Sequence, residues 1–385
     1  MKRLDFIFFD AGGGHRSAAT AVQTVAEQQE RPWQVRLVNL QEVLDPIDIV
    51  RRLTGIRIQD TYNFMLRKGW TVGSAQMLKA LHACIRLYDR PIVRVLEKTW
   101  RERQPDMVVS FVPHFNRALA ESFQRVFPER PFATVLTDFA DYPPHFWIER
   151  QTQFLICGTE RAVEQARALG HPPERVFRTS GMILQPRFYD SMAVERGAER
   201  QRLGLEAELP TALLLFGGHG AEVMRRIVER LDQSGLAMQI IAICGKNERL
   251  AEDLKRRRWR LPVFVEGFTR EIPFYMRLAD FFIGKPGPGS ISEALAMNLP
   301  VIVEMNLWTM PQERFNVEWV RQKGVGAVVS NFSKIVPAVS QLLEPANLAR
   351  YRANAAAIQN RAVFEIPEIL GRILESEEKG IGSRE

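Results

Sequence analysis

The sequence predicts an α/β protein of two domains, each a parallel β-sheet flanked by helices. Short, almost continuous apolar runs alternate with helix-forming stretches along nearly the whole chain, a pattern typical of strands buried on both faces of a sheet. Glycine-rich turns follow three of these runs. A chain of 385 residues is too long for one ordinary core, and a composition of 46% hydrophobic and 25% charged residues indicates a globular protein.

Ten apolar runs are predicted to be strands, five in each half of the chain. They lie at 4–9, 34–39, 107–111, 132–137 and 154–157, and then at 211–216, 238–244, 263–266, 281–283 and 301–303. A charged stretch with little periodicity, 191–210, separates the halves and is where we expect the hinge. We expect two Rossmann-like domains, 1–185 and 186–385, facing a central cleft in which ligands bind at the carboxyl ends of the strands. The last helical segment, 347–375, is a candidate to cross back onto the first domain.

The first glycine-rich turn lies in FIFFDAGGGHRS, residues 6–17. An apolar strand runs into Gly12, Gly13 and Gly14, and a helix is expected from about Ser17 onward. Glycines let a ligand approach the backbone, and a helix N-terminus offers unpaired N–H groups. Taken alone, the stretch favours an ordinary βα turn in which His15 caps the helix, because neither GxGxxG nor the GK[ST] ending is present.

Two further strands end in the same way. LLFGGHGA, residues 214–221, places Gly217, Gly218 and Gly220 after a strand, and FIGKPGPGSISEALAMNLPVIV, residues 282–303, has a glycine loop and then a helix expected from near Ser290. Either Ser290 or Ser292 is the predicted cap of that helix, and Glu293 is expected in its first turn. Three glycine loops around one cleft indicate a phosphorylated ligand.

The chain carries a formal net charge of +7, and residues 51–103 alone, with 12 Lys and Arg against 4 Asp and Glu, carry +8. This segment mixes basic residues with aromatic and aliphatic ones, which suits a surface lying on anionic lipid. A core helix with a solvated basic face fits the pattern equally well. A second basic run, 255–260, is interpreted as a solvated helix end and does not predict nucleic-acid binding.

Cysteine usage and hydropathy indicate a reduced, cytosolic protein. Cys84, Cys157 and Cys244 are far apart and lack metal-ligand spacing, so buried thiols are expected rather than disulfides or zinc. No apolar stretch reaches the roughly 20 residues that span a bilayer, and the amino terminus turns glycine-rich too soon for a secretion signal.

Residues 282–303 resemble the donor-nucleotide signature of glycosyltransferase family 28. The most similar branch contains monogalactosyldiacylglycerol synthases and processive diacylglycerol glucosyltransferases. The resemblance extends in order through DAGGGHRSA (10–18), VLTDF (135–139), CGTERAVEQARALG (157–170), SGMILQPRF (180–188), FGGHGAEV (216–223), ICGKNERL (243–250), VEGFTREIPFYMRLADFFIGKPGPGSISEAL (265–295) and MPQERFN (310–316).

The resemblance implies a GT-B fold, with the acceptor domain first and the UDP-sugar domain second. It also implies inversion at the anomeric carbon without a cofactor or metal, and no DxD motif lies near the glycine loops. Carried over by motif, His15 is the general base or its close partner, since a neutral imidazole can take the proton of an acceptor hydroxyl. Asp138 is the second candidate for the base, or the group that orients it; its alternative role is a strand-end cap.

The resemblance further implies a set of donor-binding residues. Gly217, Gly218 and Gly220 bring backbone N–H groups to the diphosphate, and Glu293 holds the ribose hydroxyls, with helix-dipole stabilisation as its alternative role. Phe268 borders the uracil. The full set is Gly14, Gly217, Gly218, Gly220, Phe268, Gly287, Gly289, Ser290, Glu293, Gln312 and Glu313, of which the last two match positions that meet hexose hydroxyls.

The chain departs from the family pattern at two places, and His219 lies at a position where relatives vary. Gln185 stands where close relatives carry an arginine, with Arg187 two residues later. DYPPHFW replaces a His-Pro-x-Trp stretch and displaces His145 by two positions, so His145 receives no catalytic role. His219 lies in the second glycine loop, either against phosphate or in solvent.

The expected function is transfer of a hexose from a UDP-sugar to a diacylglycerol-type lipid by a peripheral enzyme at the cytosolic membrane face. Residues 51–103 form the acceptor mouth on anionic lipid in this interpretation. One alternative is an enzyme like UDP-N-acetylglucosamine 2-epimerase, which acts on the nucleotide sugar alone. Another is a non-catalytic protein that binds nucleotide sugars.

Overall fold

A computed structural model describes residues 1–10, 13–47, 85, 89–142, 144–190 and 194–382 of the chain. The chain divides into two compact units. The described part of the first unit runs to Pro186 and resumes at Asn360, and that of the second unit extends over Arg187–Gln359. The described residues of the charged stretch 191–210 therefore belong to the second unit.

The first unit is built on a six-stranded parallel sheet with the strand order β2-β1-β3-β4-β5-β6. Its elements, in chain order, are β1 (Lys2–Phe8), α1 (Gly14–Gln28), β2 (Trp33–Asn39), α2 (Leu40–Leu44), α3 (Asp89–Arg103), β3 (Met107–Ser110), α4 (Asn116–Val126), β4 (Phe132–Val135), β5 (Phe154–Cys157), α5 (Glu160–Ala168) and β6 (Val176–Arg178). Single-turn 3₁₀ helices lie at Asp45–Ile47, Pro173–Arg175 and Pro186–Phe188.

The apolar run of β1 lies inside this sheet, next to the edge strand β2, and Leu4 pairs with Val35 on β2 and with Met107 on β3. Leu4, Phe6 and Ile7 are fully buried, as the near-continuous apolar pattern predicts for a strand covered on both faces. Chain order reverses between β1 and β3. The loops after these two strands therefore diverge at the carboxyl edge of the sheet, where α/β proteins place their ligands.

The second unit contains another six-stranded parallel sheet, in the order β12-β11-β10-β7-β8-β9. Its elements are α6 (Arg196–Arg202), β7 (Thr211–Leu215), α7 (Val223–Asp232), β8 (Gln239–Ile243), α8 (Glu248–Arg256), β9 (Val263–Glu266), α9 (Ile272–Leu278), β10 (Phe281–Gly284), α10 (Pro288–Ala296), β11 (Val301–Glu304), α11 (Pro311–Lys323), β12 (Gly326–Val329), a 3₁₀ helix (Phe332–Lys334), α12 (Ile335–Leu343) and α13 (Pro345–Ala356). Here the order reverses between β7 and β10.

The predicted α/β class is confirmed, and all ten predicted strands are present. Two strands were not predicted, β6 and β12, and both lie at the edge of their sheet. β6 has three residues, one of them an exposed arginine, and β12 opens with a glycine and is mostly half-buried. Such short, partly solvated edge strands lack the continuous apolar run that identifies buried ones.

The single helical segment predicted at 347–375 is in fact two helices, α13 and α14 (Ala362–Gly382). Asn360 lies between the two helices. Its side-chain Oδ1 accepts from the Ala362 N–H at the start of α14 at 3.1 Å, and its Nδ2 donates to the Met182 carbonyl at 2.8 Å. α14 belongs to the first unit and packs against α1.

Part of the basic segment 51–103 is α3, which begins at Asp89. α3 buries Ile92, Val93, Leu96 and Trp100, and its basic side chains are largely solvated. Residues 89–103 therefore form a core helix with a solvated basic face, which is the alternative that the sequence left open for this segment. Apart from Ile85, residues 51–88, on which the lipid-binding prediction mainly depends, lie outside the described residues.

Cys157 and Cys244 are buried free thiols, as predicted. Burial raises the pKa of both to about 12, so both are protonated and inert at neutral pH. Cys84 lies outside the described residues. Within the described ranges, every helix is too short or too polar to cross a membrane.

Candidate functional site

The first unit assembles one set of candidate residues from the loops that follow β1, β3 and β4. α1 begins at Gly14, three residues earlier than predicted, after Gly13 in the left-handed conformation with φ 79°. His15 is thus the second residue of the helix. Around Gly13 and Gly14 the described residues leave open space, so the loop backbone is accessible to a ligand.

His15 is half-buried and hydrogen bonded through Nδ1 to Thr137 Oγ1 at 3.1 Å. Desolvation lowers the pKa of His15 to about 4, while a hydrogen bond to the Phe111 carbonyl acts in the opposite direction. The imidazole is therefore neutral at physiological pH. A neutral imidazole beside open space is able to accept a proton from a hydroxyl group.

Trp147 links the two predicted base candidates. Its Nε1 donates to Asp138 Oδ2 at 2.8 Å, and its ring centroid lies 5.8 Å from that of His15. Trp147 is fully buried, and its carbonyl accepts a hydrogen bond from Asn116 Nδ2 at 2.9 Å. Because the Trp147 backbone is fixed and its indole has a single N–H donor, the hydrogen bond from Trp147 orients the Asp138 carboxylate.

The DYPPHFW loop is held by Asp141. Oδ1 of Asp141 accepts from the Trp147 N–H at 2.7 Å, and Oδ2 accepts from the His145 N–H at 3.0 Å. Burial raises the pKa of Asp141 to about 6. His145 itself has φ 64°, and its Nδ1 pairs with the Ile148 carbonyl of the same loop at 3.2 Å. Its described contacts are thus local to this loop.

Gln185, at the position of the family arginine, also belongs to the first unit. Its Nε2 donates to both the carbonyl and Oγ of Ser17, at 2.7 and 2.8 Å. The side chain is thereby attached to the first turn of α1, and it brings no charge.

In the second unit, the glycine loops predicted to bind the diphosphate follow β7 and β10, the two adjacent strands between which the chain order reverses. Gly217, Gly218 and Gly220 form the turn after β7, and His219 between them is exposed. Gly220 has φ 61°, and a Cβ atom there would collide with the Cys244 carbonyl oxygen. The turn therefore requires glycine at this position.

The loop after β10 leads into α10, whose cap differs from the prediction. Gly287 is the N-cap and makes no side-chain cap hydrogen bond, so neither Ser290 nor Ser292 caps the helix. Pro288 opens the first turn instead, and Gly289 and Ser290 follow in it, because proline's fixed φ suits this position. The first-turn N–H groups have no intrahelical partner and are the group that binds anions at helix N-termini.

Glu293 lies in the second turn of α10, not in its first turn as predicted. Burial raises the pKa of Glu293 to about 7, against an opposing effect of the Arg187 charge. The effect of a helix dipole falls off within the first turn. The second-turn position of Glu293 therefore does not favour the helix-dipole role considered for it, and its half-buried carboxyl is suited to hydrogen bond a ligand.

Two more predicted residues lie buried in the first turn of α11. Gln312 Oε1 is buried without a hydrogen-bond partner among the described residues. Glu313 Oε1 lies 3.7 Å from Lys285 Nζ. Phe268, which follows β9, is 59% exposed, with the Lys246 ammonium 5.4 Å from its ring centroid.

Sequence reasoning missed three residues of these arrangements. Thr137 stands beside Asp138 in VLTDF, Trp147 ends DYPPHFW, and Lys285 lies inside GKPGPG. All three were within motifs already singled out, but only their contacts reveal a role.

Comparison with known proteins covers both units. The model of the glycosyltransferase family 28 C-terminal domain matches residues 212–365, and the monogalactosyldiacylglycerol synthase model matches residues 15–182. The chloroplastic monogalactosyldiacylglycerol synthase of Spinacia oleracea is 27% identical over 97% of this chain and 73% of its own length.

Two solved structures show the fold. MurG of Acinetobacter baumannii superposes with a TM-score of 0.61 at 15% identity, over 97% of this chain and 100% of MurG. UDP-GlcNAc 2-epimerase of Neisseria meningitidis, bound to UDP-GlcNAc, superposes with a TM-score of 0.59 at 14% identity, over 97% and 100% of the two chains. The predicted GT-B fold is confirmed.

Proposed function

Because the chain belongs to glycosyltransferase family 28, in the branch of the monogalactosyldiacylglycerol synthases, we propose that it transfers a hexose from a UDP-sugar to the hydroxyl of a diacylglycerol-type lipid. Glycosyl transfer follows from the family. The donor, the acceptor, the inverting course and the cytosolic membrane face belong to the proposal.

The chemical step is a single displacement. The lipid hydroxyl oxygen forms a bond to the anomeric carbon, and the bond from that carbon to the diphosphate oxygen breaks with its electron pair leaving on UDP. The hydroxyl proton passes to His15. Because the pKa of His15 is about 4, the proton moves only as the hydroxyl oxygen bonds to carbon and becomes acidic. Asp138, oriented by Trp147, stabilises the imidazolium. Attack opposite the leaving group inverts the anomeric centre.

The second unit holds the donor. Backbone N–H groups at Gly217 and Gly218, and at Gly289 and Ser290 in the first turn of α10, receive the diphosphate and stabilise its growing charge without a metal. Gly220 and Gly287 shape the two turns, since their N–H groups donate to the Gly217 and Lys285 carbonyls at 3.2 and 2.9 Å. Glu293 binds the ribose hydroxyls and Phe268 borders the uracil. The hexose hydroxyls are bound by Gln312, whose buried Oε1 lacks a partner among the described residues, and by Glu313. Gly14 is the donor contact assigned to the first unit.

Residues 51–103 attach the enzyme to anionic lipid in this proposal. Of this segment the structure describes Ile85 and 89–103, where Arg90, Arg94 and Lys98 are exposed on α3. The sequence of 51–88 mixes basic with aromatic residues, and this composition suits an anionic interface.

The observation that carries the proposal is the neutral, half-buried His15 held by Thr137 beside open backbone. The test incubates the protein with UDP-galactose, UDP-glucose or UDP-N-acetylglucosamine and vesicles containing diacylglycerol, with or without phosphatidylglycerol. Free UDP and a new glycolipid are expected, more of both with the anionic lipid, and His15→Ala is expected to abolish transfer but bind UDP.

Three outcomes would contradict the proposal. Conversion of the nucleotide sugar to its C2 epimer without lipid would identify the epimerase activity. UDP binding without any turnover would identify a nucleotide-sugar binding protein. Transfer that depends on a divalent cation would contradict the metal-independent mechanism.

A further inference from the structure

Lys285 lies where two loops of the second unit leave the sheet together. β7 and β10 are adjacent and parallel, and Leu215 pairs with Gly284 at their carboxyl ends. The chain after these two residues therefore emerges at one place. Lys285 Cε lies 3.4 Å, and Nζ 3.9 Å, from the point where a Cβ of Gly217 would be, and Cε lies 3.6 Å from the same point at Gly287. The Lys285 side chain thus borders both glycine turns, and its ammonium group lies beside the first of them, at Gly217.

We propose that Lys285 binds the diphosphate of the nucleotide sugar and supplies the positive charge that its departure requires; the inference rests on the proposed function. Both turns that Lys285 borders are assigned to this diphosphate. An ammonium group has three N–H donors and forms charge-assisted hydrogen bonds with phosphate oxygens. As the bond to the anomeric carbon breaks, negative charge accumulates on those oxygens, and a fixed cation stabilises the transition state.

The other basic residues near the predicted donor groups have different neighbours. Gln185 replaces the family arginine and is hydrogen bonded to Ser17 in the first unit. Arg187 acts electrostatically on Glu293, which is assigned to the ribose. Lys246 lies over the ring of Phe268, which is assigned to the uracil. Lys246 also contacts the turn after β7, but through its backbone N–H, which donates to the Gly218 carbonyl at 2.9 Å. Among these side chains, the Lys285 ammonium is thus the cation that lies beside Gly217.

Glu313 holds Lys285 in position without using all of its hydrogen-bonding capacity. The distance between Nζ and Oε1 is 3.7 Å, longer than a hydrogen bond, and the Lys285 side chain is 43% exposed against 12% for Glu313. The ammonium group is therefore close enough to offset the charge of a nearly buried carboxylate, yet retains N–H donors for a ligand. When the donor binds, the diphosphate and the hexose hydroxyls offer each group its own polar partner.

The test measures binding of uridine, UMP and UDP by titration calorimetry to wild type, Lys285→Met, Lys285→Gln and Lys285→Arg. Loss of a charged hydrogen bond is expected to weaken UDP binding by about 10- to 100-fold in the Met and Gln variants. Uridine binding is expected to remain within about twofold, and Arg is expected to restore most of the affinity for UDP. Lys334→Met, which removes an exposed lysine of the same unit, is the matched control and should bind UDP as wild type does.

Turnover gives a second measurement. In lipid vesicles, kcat is expected to fall with Lys285→Met and to recover with Lys285→Arg, because the charge acts on the leaving group. UDP binding equal to wild type in both neutral variants, or an equal loss for uridine and UDP, would overturn the role of Lys285 while leaving the proposed function intact. A wild type that binds none of the three ligands would instead overturn the proposed function and this inference with it.

Discussion

The indole nitrogen of Trp147 donates a hydrogen bond to Asp138 Oδ2 at 2.8 Å. The same indole ring lies 5.8 Å from the imidazole of His15. One fully buried side chain thus contacts one base candidate and neighbours the other, and Asp141 holds its backbone in place. The geometry around His15 therefore depends on a loop in which the histidine of the family pattern is displaced.

Trp147→Phe should lower kcat by about tenfold without changing the affinity for UDP. Phenylalanine keeps an aromatic ring beside His15 but removes the N–H donor, so Asp138 loses its orientation and about 1–3 kcal/mol of stabilisation is lost. Transfer kinetics with vesicles and titration with UDP measure the two effects. Trp259→Phe is the control, because it removes a similar hydrogen bond, to the Leu254 carbonyl, in the second unit. Equal losses of kcat in both variants would argue for a purely structural role.

The pH dependence of kcat at saturating UDP-sugar should report the burial of His15. The base must be neutral, and because its pKa is lowered to about 4, kcat should stay constant from pH 8 down to about 5 and fall only below that. The free energy of unfolding should also fall with decreasing pH. The His15 side chain takes up a proton near pH 6.5 in the unfolded chain but only near pH 4 in the folded state, so stability falls as pH drops from 6.5 toward 4.

His15→Gln should remove that part of the stability profile, whereas His171→Gln should leave the acid limb of activity in place. The pKa of His171 is also lowered by burial, but its ring contacts the Glu149 carbonyl. An acid limb centred near pH 6.5 would show that His15 is solvated in the active enzyme.

UDP affinity should rise with pH through the pKa of Glu293. The pKa is raised to about 7, and ribose hydroxyls that donate to the carboxylate favour its ionised form. Between pH 6 and pH 8 we expect about a tenfold gain in affinity and proton release on binding, both measured by calorimetry in buffers of different ionisation enthalpy. The free energy of unfolding should change in the opposite direction and fall as pH rises from 4.5 to 7, because over this range the folded state keeps a proton on Glu293 that the unfolded chain releases.

Glu293→Gln should bind UDP about tenfold more weakly and without this pH dependence. Glu344→Gln, at an exposed position of the same unit, should change neither quantity. A Glu293→Gln variant with the pH dependence of wild type would assign the titration to another group.

Gly220→Ala should destabilise the second unit and abolish UDP binding. Alanine at φ 61° costs roughly 1–2 kcal/mol by itself, and its Cβ would also displace the Cys244 carbonyl. Gly204→Ala has only the cost of the positive φ, because Gly204 has φ 74° but open space around it within the described residues. The difference between the two variants therefore isolates the collision with Cys244. Denaturant unfolding should show a larger loss for Gly220→Ala. Equal losses would mean that the turn is free to move away from Cys244.

The α/β class, ten of the strands and the glycine turns were predictable because each depends on consecutive residues. A buried parallel strand needs a continuous apolar run, and a tight turn needs glycine, wherever the remaining chain lies. The edge strands β6 and β12 were missed since solvated edges relax that requirement. The cap of α10 was misjudged because two serines suggested it, whereas Gly287 followed by Pro288 starts the helix.

Local pattern thus determined which stretches build the two sheets and which turns expose their backbone. Only the tertiary structure decided the partners. His15 meets Thr137 across 122 positions of the chain, and Lys285 meets Gly217 because β10 lies next to β7 in the sheet. Charge, pKa and hydrogen bonding at these residues depend on neighbours brought together by strand order, and strand order is set by the packing of the whole unit.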